Sequence, residues 1–126
     1  MTQLGLRHAV MAAYPKEKTT DIPEHSFLSP ASYWDERARG LGATLSVPLS
    51  SSAEENAMCH EDDRYRGEDI TVHEFAHSLM NLGLSQVFDS FSSELTSLYN
   101  AAKSSGNYGD HYAMTCLLYT SAAADE

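Results

Sequence analysis

The sequence predicts an α+β fold, and three observations carry that reading. Two short apolar runs in the first half have the length of strands, and two longer stretches in the second half space their apolar residues three and four apart, as helices do. The chain's 126 residues suffice for one hydrophobic core and not for two. Hydrophobic residues at 42% and charged residues at 21% match a folded globular chain, so disorder is not the default.

The elements follow in order. "LRHAVMAAY", Leu6 to Tyr14, reads as a strand, and "EKTTDIPEHSF" after it has the proline and polar content of a loop. In "LSPASYWDERARGLG", Ser29 fits an N-cap, Pro30 the first helical position and Gly40 the position just past the end. That predicts a helix of about ten residues with Asp35 and Arg39 spaced to pair. "ATLSVPL", Ala43 to Leu49, is a second strand candidate, which Pro48 would confine to a sheet edge. Ser52 and Glu55 form an S-x-x-E capping box for a short helix through Met58, and "CHEDDRYRG" then reads as an acidic surface loop.

From Glu68 to Leu82 the pattern is helical, opened by Glu68 and Asp69 at the positive helix end and stopped at Gly83. Ile70, Val72, Phe75, Ala76, Leu79, Met80 and Leu82 spread almost all round this helix, which predicts that it is buried. Val87, Phe88, Phe91, Leu95, Leu98, Tyr99 and Ala102 give a second helix from about Ser85 to Lys103, packed on the first.

Several function classes fall away on composition. A net charge of −10, from 18 acidic and 8 basic residues, lacks the clustered Lys and Arg that grip phosphate backbones, so nucleic acid is not an expected partner. No apolar run approaches the roughly 20 residues of a membrane helix. The first residues lack the charged start, apolar stretch and small-residue cleavage site of a secretory signal, and Cys59 and Cys116 do not fix a compartment.

Inside the first helical pattern stands "HEFAH", His73 to His77. On a helix, positions four apart differ by about 40° around the axis and about 6 Å along it, so the two imidazoles project side by side. Two such rings can chelate one Zn²⁺, with Glu74 placed as general base towards a water that the metal acidifies. Buried on an apolar helix, two imidazoles and a carboxylate are costly without a partner such as a metal.

Zinc needs a third protein ligand. The metzincin pattern requires Gly three and His six residues beyond His77, where this chain has Met80 and Gly83, so that branch is excluded. Glu94, on the second helix beside Phe91 and Leu98, is one candidate, and Cys59 or His60 in the acidic loop is another. His8, His25 and His111 read as surface or core-edge groups.

The stretches "VMAAYPKEKTTDIPEHSFLSP", "YWDERARGLGAT", "EENAMC" and "DRYRGEDITVHEFAHSLMNLGL" together resemble the gluzincin metallopeptidases related to the catalytic domain of anthrax toxin lethal factor. The resemblance covers roughly residues 5 to 115, and H-E-x-x-H is its one specific motif. It implies a zincin-like fold over 1–115, Zn²⁺ on His73 and His77, Glu74 as catalytic base, and a peptide or protein substrate. "GDHYAMT" resembles the family stretch that carries an oxyanion-stabilising tyrosine, which makes Tyr112 its match. A glutamate ligand is expected a few residues later, but the chain there reads "CLLYTSAAADE", with Tyr119 near the expected place and no acid before Asp125. Residues 116–126 therefore read as a tail foreign to the family pattern. Three expectations follow: a zinc-dependent peptidase, a truncated or degenerate relative that holds zinc weakly and catalyses nothing, or a noncatalytic binding module in which the helix pair is simply core.

Overall fold

The computed structural model describes residues 5–106 of the chain. They form a mixed α+β structure on a three-stranded sheet. Strand β1 (Arg7–Met11) runs parallel to the later strand β3 (Leu49–Ala53), with Arg7 opposite Leu49 and Met11 opposite Ala53. The short β2 (Gly40–Leu41) pairs antiparallel to β3 on its other side, Gly40 opposite Ser52, so the order is β1-β3-β2. Between β1 and β2 the chain makes two 3₁₀ turns, Thr19–Asp21 and Pro23–His25, and helix α1 (Ala31–Arg37).

Strand alternation sorts β3 into two faces. Leu49 and Ala53 join Met11 and Ile22 in a core that Ala9 and Val47 border. Ser50 and Ser52 point the other way, where His8 bridges them, Nδ1 to Ser50 Oγ at 2.8 Å and Nε2 to Ser52 Oγ at 2.9 Å. Thr71 donates to Ser52 Oγ at 3.0 Å, so this polar face carries the helix that holds the candidate site.

Several expectations change. The strand predicted over Ala43 to Leu49 lies at Leu49–Ala53, starting just after Pro48. Its serines hid it, because a run of three shows no apolar alternation and is recognised only by the hydroxyl partners the fold supplies. Ser52 is therefore a strand residue rather than a cap, and helix α2 (Glu54–Ala57) starts behind Ala53 with no side-chain cap. Asp35 does not pair with Arg39 but accepts from Thr20 N and Thr20 Oγ1, both at 2.9 Å. Arg39 instead meets Glu55, Nε to Oε1 at 2.5 Å and Nη2 to Oε2 at 3.1 Å, with both side chains buried. The same guanidinium donates to Glu17 O at 2.9 Å and Ala12 O at 3.2 Å, tying the end of β1, the crossover and α2 together.

The remaining changes concern the helices. Helix α3 (Ile70–Leu79) is capped by Asp69, whose Oδ1 accepts from Val72 N at 3.0 Å. Gly83 does not stop it: the backbone widens into a π turn at Met80–Leu84 and continues as α4 (Ser85–Val87). The Ser85 hydroxyl donates to the Met80 and Asn81 carbonyls, at 2.7 and 3.2 Å, alongside the backbone bond from Ser85 N to Met80 O that closes the wide turn. Nor is α3 buried all round, since Val72, Phe75 and Leu79 are 61%, 52% and 48% exposed along one side. The second helix, α5 (Phe91–Ser105), begins six residues later than Ser85 and ends at Gly106 with φ 66°. None of its residues is buried; Phe91 and Leu95 line a cleft of about 220 Å³ with Met80, Asn81 and Ser85, so it meets the far end of the α3–α4 run rather than lying along α3. Among the described residues, no helix is long and apolar enough to cross a membrane.

Candidate metal centre

The start of α3 is fixed from outside the helix. Asn56 Oδ1 accepts from Ile70 N at 2.8 Å, and its Nδ2 donates to Glu68 O and Asp63 Oδ2, both at 2.9 Å. One buried amide thereby satisfies a helix-start donor that has no intrahelical partner and sets the axial position of α3 against α2.

The middle of α3 rests on the segment through β2, and two glycines allow the contact. A Cβ on Gly42 would lie 2.5 Å from His77 Cβ and 3.3 Å from Glu74 Oε2; one on Gly40 would lie 2.4 Å from Ile70 Cγ2 and 3.0 Å from Glu74 Cγ. At Gly42 a Cβ would force α3 itself to shift, because His77 Cβ is fixed to the helix backbone; at Gly40 it would displace the Ile70 side chain. Ser78, fully buried, accepts from Ala43 N at 3.0 Å and donates to Glu74 O at 2.8 Å, while Asn81 Nδ2 donates to Ala43 O at 3.2 Å. The backbone of Ala43 is thus bound on both sides by α3 and the π turn.

This seating buries one flank of α3, and the cluster lies on it. His73, Glu74 and His77 each offer a ligand atom, all within 4.8 Å of one another, and the two imidazole centroids are 4.7 Å apart at 75°. Glu74 and His77 are buried, and His73 is half-buried. Among the described residues, four buried side-chain polar atoms have no hydrogen-bond partner, and two belong to this cluster: Glu74 Oε2 and His77 Nε2. The others, His25 Nδ1 and Ser51 Oγ, are not part of it.

Unpartnered burial displaces both protonation equilibria towards neutrality. Desolvation, aided by the negative charge of Glu68, pushes the Glu74 carboxyl up to about 8. Desolvation, aided by charge on His73, pushes His77 down to about 4. His77 is therefore a neutral imidazole across the physiological range, the form that ligates metal. Two imidazoles and a carboxylate, with one atom of His77 and one of Glu74 buried and unpartnered, form a group that could hold a metal ion.

His73 has one more partner. Its Nδ1 lies 2.5 Å from Glu68 Oε1, which leaves Nε2 as the ring nitrogen free to ligate.

The other sequence candidates do not join the cluster. Glu94 is exposed on α5 and is not among the grouped residues. Cys59 is an exposed free thiol, and His60 is exposed beside Asp62 at 3.4 Å. Of the histidines given ordinary roles, His25 is buried and His8 serves the serine face. Tyr112, His111, Cys116 and the tail 116–126 lie outside the described residues.

Three residues that seat the cluster escaped sequence reasoning: Gly40, Gly42 and Ser78. The pair of glycines two apart in "GLGA" was a usable signal of close backbone approach in a strand. Ser78 carried none, because a serine inside a helix reads the same whether it is buried or solvated.

No protein-family model matches the chain, and neither curated proteins nor solved structures include a significant match to it.

Proposed function

We propose that the chain has a zincin-like architecture and is a zinc-dependent metallopeptidase, with His73 and His77 as metal ligands and Glu74 as the catalytic base. The observation that carries the reading is that His73, Glu74 and His77 each offer a ligand atom within 4.8 Å of the others, while Glu74 Oε2 and His77 Nε2 are buried without a hydrogen-bond partner. The peptide substrate and Tyr112 as oxyanion donor follow from the resemblance to lethal-factor-like gluzincins.

Zinc, when bound, supplies a Lewis acid for the scissile carbonyl and acidifies water. His73 and His77 would hold it. Glu74 ionises more readily beside a cation, because opposite charge favours the charged form. Its carboxylate then takes a proton from the attacking water and gives it to the leaving amine nitrogen. The glycine-lined contact with the β2 segment keeps Glu74 desolvated until that exchange.

A second reading is favoured by one observation: among the described residues, the cluster holds two imidazoles and the base, with no third ligand beside them. A chain limited to two ligands would bind zinc weakly and catalyse nothing.

Incubation of the zinc-loaded chain with a complex peptide library, read by mass spectrometry, separates the two. Cleavage that a chelator removes and zinc restores is the expected result. Weak zinc retention without cleavage would establish the second reading in its place.

A further inference from the structure

We propose that Glu68 is a positioning residue for the metal centre: its carboxylate holds His73 with the proton on Nδ1 and presents Nε2 to the metal. This rests on the metal reading above.

A carboxylate beside an exposed histidine is ordinarily a surface pair of little consequence. Glu68 differs in how it is held. Its backbone N donates to Tyr65 O at 3.0 Å, and its carbonyl accepts from the buried Asn56 Nδ2 at 2.9 Å, so the residue is fixed on both sides of its Cα. Asn56 is the same side chain that sets the start of α3. From that anchored place, just outside the helix, the carboxylate reaches back over the first turn to the ring five residues on, at 2.5 Å.

The geometry answers a particular need. His77 is immobilised by burial against Gly42, whereas His73 is half-buried and its ring would otherwise be free to turn and to change tautomer. A ligating imidazole that donates its other N–H to a carboxylate is oriented and made more basic, and loss of such a partner costs about 10- to 100-fold in metal affinity. Glu68 supplies to the half-buried ligand what packing supplies to the buried one.

The experiment compares the wild-type chain with Glu68→Ala and Glu68→Gln, measuring zinc affinity by chelator competition and the His73 tautomer by imidazole ¹⁵N NMR in the metal-free protein. The expected result is zinc affinity weaker by about 10- to 100-fold in Glu68→Ala, with most of it regained in Glu68→Gln, which keeps the acceptor oxygen. His73 should be an Nδ1–H tautomer in the wild type and a mixture in Glu68→Ala. Unchanged affinity in Glu68→Ala would overturn the proposal, and so would a Glu68→Gln as weak as Glu68→Ala, since that assigns the effect to charge alone. If the wild type holds no zinc, the metal reading fails by itself, and a tautomer unaltered by Glu68→Ala would then sink the role of Glu68 as well.

Discussion

Replacing Arg39 with methionine is expected to destabilise the fold by about 3–5 kcal/mol, the usual cost of leaving a buried charge without its partner. Arg39 and Glu55 have side chains only 2% and 6% exposed, and the guanidinium also satisfies the carbonyls of Glu17 and Ala12. Burial pushes the Glu55 carboxyl up, but hydrogen bonds from Arg39 and from backbone N–H groups, with the charge of Arg39, outweigh it and hold the group below its ordinary value. A carboxyl depressed by folding contributes stability above its unfolded pKa and loses it as pH falls through the folded one. Denaturant unfolding checks the expectation: the midpoint of Arg39→Met should fall steeply, and the double variant Arg39→Met/Glu55→Leu should regain much of the loss. A single variant within about 1 kcal/mol of wild type would show that the pair contributes little, as exposed pairs do.

The second large effect concerns Glu74. Glu74→Gln is expected to reduce peptide hydrolysis by about 10²- to 10⁴-fold, the usual contribution of a positioned general base, while leaving zinc bound. The same variant alters how the metal-free protein responds to pH. The folded carboxyl titrates at about 8, above its unfolded value of 4.5, so its contribution to stability is full below 4.5 and is lost as pH rises towards 8. His77 runs the other way: folded at about 4 and unfolded at 6.5, it contributes above 6.5 and loses that as pH falls towards 4. Between about pH 6.5 and 8 the two no longer oppose each other, and the metal-free wild type should lose up to about 1.4 kcal/mol per pH unit relative to Glu74→Gln. Parallel stability curves for the two proteins over that window would contradict the buried, neutral state of Glu74.

How far the sequence disclosed this structure depends on whether the controlling interaction is local. The HEFAH helix was legible because helical spacing alone places His73 and His77 on one side, and "GED" before it marks a helix start, although Asp69 is the cap and Glu68 reaches His73 instead. The strand "LSSSA" was not, because its serines are accommodated by His8 and Thr71, which lie 42 and 44 residues upstream and 19 residues downstream of the hydroxyls they bind. Gly40 looked like a helix terminator and is a strand residue on which α3 rests, a role set by Ile70 and Glu74 rather than by its neighbours. Arg39 had an apparent partner one helical turn away in Asp35, yet helix α1 ends at Arg37, so that spacing no longer applies and Glu55 takes the guanidinium.

Zinc binding by the metal-free chain, titrated by chelator competition against the His73→Ala/His77→Ala double variant with circular dichroism confirming that both are folded, bears most directly on the metal centre. The expected result is about one equivalent of zinc held by the wild type and none held specifically by the double variant. A folded wild type that binds no zinc, or a double variant that binds it equally well, would contradict the assignment of His73, Glu74 and His77 as a metal site.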